Sequence, residues 1–253
     1  MRIALVRHAT LLIEFAGSRL LVDPMLDDAG SQPPIPDAAD QSPNPLVDLP
    51  RPAESIVSGL DAVVISHLHP DHIDATAMRV LPRDVPVWAQ EAQAPALTAQ
   101  GLSASPLNEP ATLGGATLTP AGGQHGPPEL AREMGPVMGI VLDAPDEPTL
   151  YIAGDTVWCD EVEQTIDAHA PDVIVVNAGA AQFTGSPPIT MDADQVLTLA
   201  RHAPEAVVIA VHMEAVNHCV LTRAELRAAA DAAGLGDRVI APGDGEMLEL
   251  TTG

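Results

Sequence analysis

The feature that most narrows what this chain can fold into is HLHPDH at residues 67 to 72, which follows directly on the apolar run Ala62-Val63-Val64-Ile65 and Ser66. A short apolar run bounded by turn-forming residues reads as a buried strand. This one ends in three histidines and an aspartate within six positions. A turn at a strand end can aim His67 and His69 at one point, and Asp71 and His72 at a second point nearby. Imidazole and carboxylate together suit zinc, or manganese and iron where the coordination is richer in oxygen. A satisfied core or surface side chain is the ordinary explanation for one isolated histidine; it does not account for four ligand-type residues behind one strand.

Four residues cannot complete two metal shells, so further ligands are expected at later strand ends. Three positions meet that condition. His125 follows a glycine pair, Asp155 follows Leu150-Tyr151-Ile152-Ala153-Gly154, and His212 ends Ala206-Val207-Val208-Ile209-Ala210-Val211.

The remaining pattern supplies the frame. Strands are expected at 2–7, 10–15 and 19–22, with Gly17-Ser18 as a hairpin turn, then at 85–89, twice near 111–120, and at 137–143, 149–153, 173–176 and 206–212. Helices are expected at 73–80, 91–100, 158–169 and 192–202. A last helix opens on the capping-box pattern Thr222-Arg223-Ala224-Glu225 and stops at Gly234. RVIA and EMLEL read as a closing hairpin around Pro242-Gly243-Asp244-Gly245. Residues 30–52 carry seven prolines and can be neither helix nor central strand; such a loop is a functional flap or a disordered segment. Strands fall in two blocks with helices in both, an α/β pattern of two sheets packed face to face with helices outside. Periodicity alone does not separate this from a doubly wound sheet. At 253 residues the whole chain, 1–253, is expected to form one domain.

Charge excludes one class of partner. There are 35 acids against 11 bases, all arginine, for a formal net charge of −24, and no basic cluster or aromatic-lined stripe to hold nucleic acid. No uncharged apolar stretch approaches the length of a membrane span, and the opening MRIALVRHATLLIEF, broken by Arg7, His8 and Glu14, resembles a strand pair more than a secretion signal. The expectation is a cytoplasmic protein acting on a small molecule, without nucleic acid or membrane, with homo-oligomer formation left open. Cys159 and Cys219 read as two ordinary reduced thiols.

HLHPDH, a separate histidine, a Gly-Asp-Thr aspartate and a strand-terminal histidine, in that order and approximate spacing, resemble the metallo-β-lactamase superfamily along the whole chain. HATLLIEFAGSRLLVDP resembles the first strands of its ascorbate 6-phosphate lactonase-like branch. The resemblance implies a four-layer αββα sandwich with metals at one edge of the sheets. It also implies one ion held by His67, His69 and His125, another by Asp71, His72 and His212, and Asp155 bridging them. Asp155 stands where some true β-lactamases carry a cysteine ligand, which points away from antibiotic hydrolysis.

Two such ions, about 3.5 to 4 Å apart, activate water at neutral pH. Asp71 would orient that water and Asp155 would hold the ions together. Glu214 and His218 are candidates for a general acid or for lining the site, with His218 taken as catalytic and Glu214 as substrate-binding. Asn177, Gln182 and Phe183, in the segment after the strand at 173–176, are candidates for substrate contact. His8 is expected to fix a ligand imidazole from behind. Trp158 is expected to pack a helix start, and His169 and His202 to be solvated at helix ends. The expected activity is hydrolysis of a small ester or lactone, such as a phosphorylated sugar derivative. A phosphodiesterase or phospholipase-like hydrolase is the alternative, and a non-catalytic metal-binding protein a third reading.

Overall fold

The computed structural model describes residues 1 to 251. Strands β1 (Arg2–Arg7), β2 (Thr10–Phe15), β3 (Ser18–Val22), β4 (Ala62–Ile65), β5 (Pro86–Ala89), β6 (Ser103–Pro106) and β14 (Met247–Glu249) form one sheet, ordered β14-β1-β2-β3-β4-β5-β6. The second sheet holds β7 (Ala111–Leu113), β8 (Ala116–Ala121), β9 (Gly139–Asp143), β10 (Leu150–Ile152), β11 (Val173–Asn177), β12 (Val207–Val211) and β13 (Val239–Ile240). Its order is β13-β12-β11-β10-β9-β8-β7.

The apolar residues of single strands divide between two cores. In β1, Ile3 and Leu5 face the second sheet while Ala4 and Val6 pack in the outer core beneath the helices. In β11, Val173 and Val175 face inward while Ile174 and Val176 face outward. Both faces are buried, which is why these strands read as unbroken apolar runs and not as alternations. Helices α1 (Ala53–Ile56), α2 (Ala75–Val80) and α3 (Ala94–Ala99) cover the first sheet. Helices α5 (Asp160–His169), α6 (Ala193–His202) and α7 (Arg223–Ala232) cover the second through Val162, Ile166, Leu199 and Leu226. The result is the αββα sandwich, in which each fully buried Leu or Ile contributes about 1.5–3 kcal/mol.

The expected capping box is present, with Thr222 accepting from the Glu225 backbone and Glu225 from Thr222. Other local expectations need correction. The first hairpin turns at Ala16-Gly17, both with positive φ, and not at Gly17-Ser18, because Ser18 already pairs with Phe15. The two terminal strands form no hairpin: β13 pairs parallel with β12, whereas β14 pairs antiparallel with β1 in the opposite sheet. Each sheet had an open edge to satisfy, and the Pro-Gly-Asp-Gly segment crosses between them. Three short elements escaped the pattern. β6 is a mostly exposed edge strand, α1 spans only four residues, and α4 (Pro128–Met134) begins on prolines, which break a helix interior but suit its first turn.

Residues 30–52 contain a single bridge, Gln32 to Asn44, and no strand or helix. The segment is nonetheless tied down. Asn217 Oδ1 accepts from Ile35 N and Asn44 Nδ2, and Asn217 Nδ2 donates to the Ile35 and Asp40 carbonyls. The buried Arg7 guanidinium donates to the Met25, Asp27 and Val47 carbonyls.

Candidate metal centre

Pairing makes β1, β3 and β4 run in one direction in the first sheet and β8, β10, β11 and β12 in one direction in the second, and the residues that follow the C-terminal ends of these strands meet at one rim of the sandwich. Open α/β sheets place their sites at such ends. His8 follows β1, Asp23 follows β3, HLHPDH follows β4, His125 follows β8, Asp155 follows β10, and His212 follows β12.

The structure gathers these residues into two adjoining groups. His67, His69 and His125 form one; His8, Asp71, His72 and His212 form the other, with candidate donor atoms within 4.8 Å of one another in each. Asp155 lies between them. Its Oδ2 is 3.2 Å from His72 Nε2, 3.5 Å from His125 Nε2 and 3.9 Å from His67 Nε2, while Oδ1 is 3.4 Å from His212 Nε2. Asp71 Oδ2 is 3.5 Å from His212 Nε2 and 3.9 Å from His72 Nε2.

The outward ring nitrogens are fixed from behind. His72 Nδ1 lies 2.8 Å from Asp23 Oδ2, and the same carboxylate accepts from the Ser66 backbone and hydroxyl, each at 2.7 Å. His125 Nδ1 donates to the Ile189 carbonyl at 2.9 Å. His212 Nδ1 faces Cys219 Sγ at 3.5 Å. A close approach of backbone holds that last strand end: a Cβ on Gly179 would sit 2.1 Å from the His212 carbonyl oxygen. Meanwhile the inward Nε2 atoms of His72, His125 and His212 are buried with no hydrogen-bond partner. Nitrogens held behind and free in front are what metal ligation requires, so this donor set fits divalent cations.

Electrostatics agree. Burial alone would raise Asp71 and Asp155, but His72 and His212 hold both carboxyls well below the usual range. Burial alone would lower His72 and His212, but the carboxylates, Asp155 foremost, hold them well above 6.5. The buried carboxylates thus draw positive charge toward themselves. Burial pushes His67 and His69 down, and takes His8 to about 3 and His218 to about 4.

The remaining sequence candidates divide. His218 is buried, its ring centroid 6.3 Å from that of His212, and its Nδ1 has no partner. Asn177 is buried and donates to Asp155 Oδ1, so it holds a carboxylate of the cluster. Glu214 is turned away, its carboxylate 2.6 Å from Arg223, which also binds Asp244. Phe183 is half-buried on the wall of an open cleft of about 680 Å³ that also involves Asp37, Ala38, Gln41 and Leu130. Gln182 N–H donates to the His218 carbonyl. His8 stands behind the Asp71 carboxylate at 3.2 Å, as well as against the His212 ring. Trp158 packs at the start of α5 beside His202. His169 is exposed, and His202 is half-buried against Asp167.

Asp23 and Ser66 were not foreseen. Asp23 ends the apolar LLV run just as Asp155 ends its own, and that shared position was the available signal. Ser66 carried none.

Fold and site together define a metal-dependent hydrolase of the metallo-β-lactamase fold. The profile of the β-lactamase superfamily domain matches residues 18–213, and the chain belongs to that superfamily. It is 39% identical over 250 residues to the UPF0173 protein YddR of Bacillus subtilis, covering 97% of this chain and 98% of that one. It is 27% identical over 261 residues to a UPF0173 metal-dependent hydrolase of Azorhizobium caulinodans, covering 99% and 100%. Among solved structures, an isothiocyanate hydrolase from Delia radicum gut bacteria superposes with a TM-score of 0.95 at 34% identity, covering 100% of both chains. Among the described residues no helix is long and apolar enough to cross a membrane.

Proposed function

We propose that this enzyme hydrolyses a small, uncharged electrophile at carbon, with an organic isothiocyanate as the first substrate class and a lactone or simple ester as the second. The observation that carries this reading is the absence, among the described residues, of any hydrogen bond or ion pair from an arginine to the cluster. Arginine is the only strongly basic side chain present. No arginine is paired with the cluster, so recognition of a phosphorylated sugar or a phosphodiester there would fall to the ions and the histidines, and these two expectations rank lower. Whole-chain likeness to an isothiocyanate hydrolase favours the first class.

In this reading His67, His69 and His125 would hold one divalent ion and Asp71, His72 and His212 another, with Asp155 between the two sets. Zinc suits the nitrogen-rich set, with manganese or iron as alternatives. When bound, the pair supplies an activated water and polarises the group under attack. The chain does the rest. Asp71 orients the attacking water. Asn177 keeps Asp155 in its shared position through Oδ1. The neutral, unpartnered His218 Nδ1 is left to hydrogen-bond the substrate. Phe183 and Leu130 wall the cleft assigned to the apolar part, and Phe183 follows Gln182, whose N–H donates to the His218 carbonyl. For an isothiocyanate, water adds across the C=N bond, with oxygen to carbon and hydrogen to nitrogen. The resulting thiocarbamic acid then splits into an amine and carbonyl sulfide.

The test is a side-by-side assay of metal-loaded protein on alkyl isothiocyanates, lactones and bis-aryl phosphodiesters. Fastest turnover of the isothiocyanates is expected. Preference for the phosphodiesters would overturn the substrate class, and inertness on every panel member would overturn the reading as an enzyme for these bonds.

A further inference from the structure

His8 occupies a place for which the seven metal-ligand candidates give no account. It follows β1 in a left-handed conformation, φ 60°, and His212 follows β12 in the same conformation, φ 62°. Such backbone is uncommon outside glycine and persists where the surroundings impose it. The two residues are joined at this point, the His8 carbonyl accepting the His212 N–H at 2.8 Å. Their rings then lie 3.6 Å apart, centroid to centroid, tilted by 39°. His8 is fully buried, with Nε2 3.2 Å from Asp71 Oδ2 and Nδ1 without any partner. A neutral imidazole has one N–H to donate. Asp71 is the acceptor within reach, so the hydrogen sits on Nε2.

We propose that His8 is a positioning residue for the half of the centre built from Asp71, His72 and His212: it donates Nε2–H to Asp71 Oδ2 and backs the His212 ring. The hydrogen bond occupies one lone pair of Oδ2 and leaves the rest of the carboxylate directed into the cluster. The ring contact limits the tilt of His212, whose own Nδ1 meets only a thiol at 3.5 Å. A thiol is a weak partner beside the carboxylate behind His72 or the carbonyl behind His125, so of these three His212 is the least firmly held. The first sheet thereby orients a ligand carried by the second. This inference rests on the metal-site reading above.

Two substitutions separate a positioning role from a merely space-filling one. Asparagine accepts left-handed backbone, but in His8→Asn the amide ends where Nδ1 was, short of Asp71. In His8→Gln the amide nitrogen reaches the position of Nε2. Zinc affinity is measured by competition with a chromophoric chelator, and cobalt absorption is recorded on the same proteins, with thermal melts to establish folding. His8→Asn should lose about 10–100-fold in affinity for one ion and shift the cobalt spectrum; His8→Gln should recover most of both. Wild-type affinity and spectrum in His8→Asn would overturn the proposal, as would equal loss in a folded His8→Gln. Should His8→Asn not fold, His8→Gln carries the test alone through the same affinity and spectrum, with wild-type-like values supporting the proposal and a loss of about 10–100-fold in a folded protein overturning it. A wild-type protein that takes up no metal would overturn the metal reading itself, a result distinct from normal uptake that ignores His8.

Discussion

Asp23 Oδ2 lies 2.8 Å from His72 Nδ1, and this turns the opposite nitrogen of that ring to within 3.2 Å of Asp155. The carboxylate comes from the end of one strand and the imidazole from the loop after its neighbour, so a pairing within the first sheet sets the direction of a histidine of the cluster. Asp23→Asn tests this without disturbing the backbone, because Asp23 has φ 45° and asparagine accepts that conformation. Metal affinity should fall about 10–100-fold, read by chelator competition. An unchanged affinity would mean that His72 is oriented by other contacts.

The metal-free protein should be most stable near pH 6.5. His8 and His218, at about 3 and about 4 in the fold, and His67 and His69, also lowered, bind protons more readily when unfolded. Their contribution is complete above 6.5 and is lost as pH falls toward 3–4. Asp74, raised by burial to about 6, and Asp244, also raised by burial, oppose this, whereas Asp71 and Asp155, held low by His72 and His212, add to it. His72 and His212 are raised, so their contribution is complete below 6.5 and is lost as pH rises. Melting temperatures of chelator-treated protein from pH 4 to 9 should show the maximum; a monotonic curve would contradict these assignments.

Gly179→Ala should damage the site from a distance. Its Cβ would lie 2.1 Å from the His212 carbonyl and 3.0 Å from Cys219 Cβ, both ordered backbone or near-backbone atoms. Overpacking of this kind costs about 1–3 kcal/mol or more. A lowered denaturation midpoint together with weakened metal uptake is expected. Loss of stability alone would show that the strand end at His212 does not shift.

Asn217→Ala should release the proline-rich segment. Its amide serves the Ile35 N–H, the Asn44 side chain, and the Ile35 and Asp40 carbonyls, and a buried group left unpaired costs about 1–3 kcal/mol. Hydrogen exchange at residues 30–46 should accelerate while the sheets stay protected. The neighbouring residue is His218, so KM should change more than metal content does.

The sequence made the strand ends legible for a physical reason. Fully buried strands are apolar throughout, so the first ionisable residue after each one, at His67, Asp155 and His212, is conspicuous. The same logic covered Asp23, yet a lone acid before Pro24 also reads as a turn. What lay beyond reach depended on pairing across space. Asn177 belongs to Asp155 and Glu214 to Arg223, and neither partnership leaves a trace in spacing. The closing hairpin was misread because local turn chemistry says nothing about which sheet has an open edge. Proline content marked residues 30–52 as irregular but could not reveal that Arg7 and Asn217 tie them to the body.

The most direct test of the central claim is a zinc titration of metal-free protein while hydrolysis of an alkyl isothiocyanate is followed by amine release. Turnover should be absent at the start and rise to a plateau at about two equivalents, as a two-ion centre requires. Hydrolysis that proceeds at full rate without metal, or fails at every zinc concentration, would contradict it.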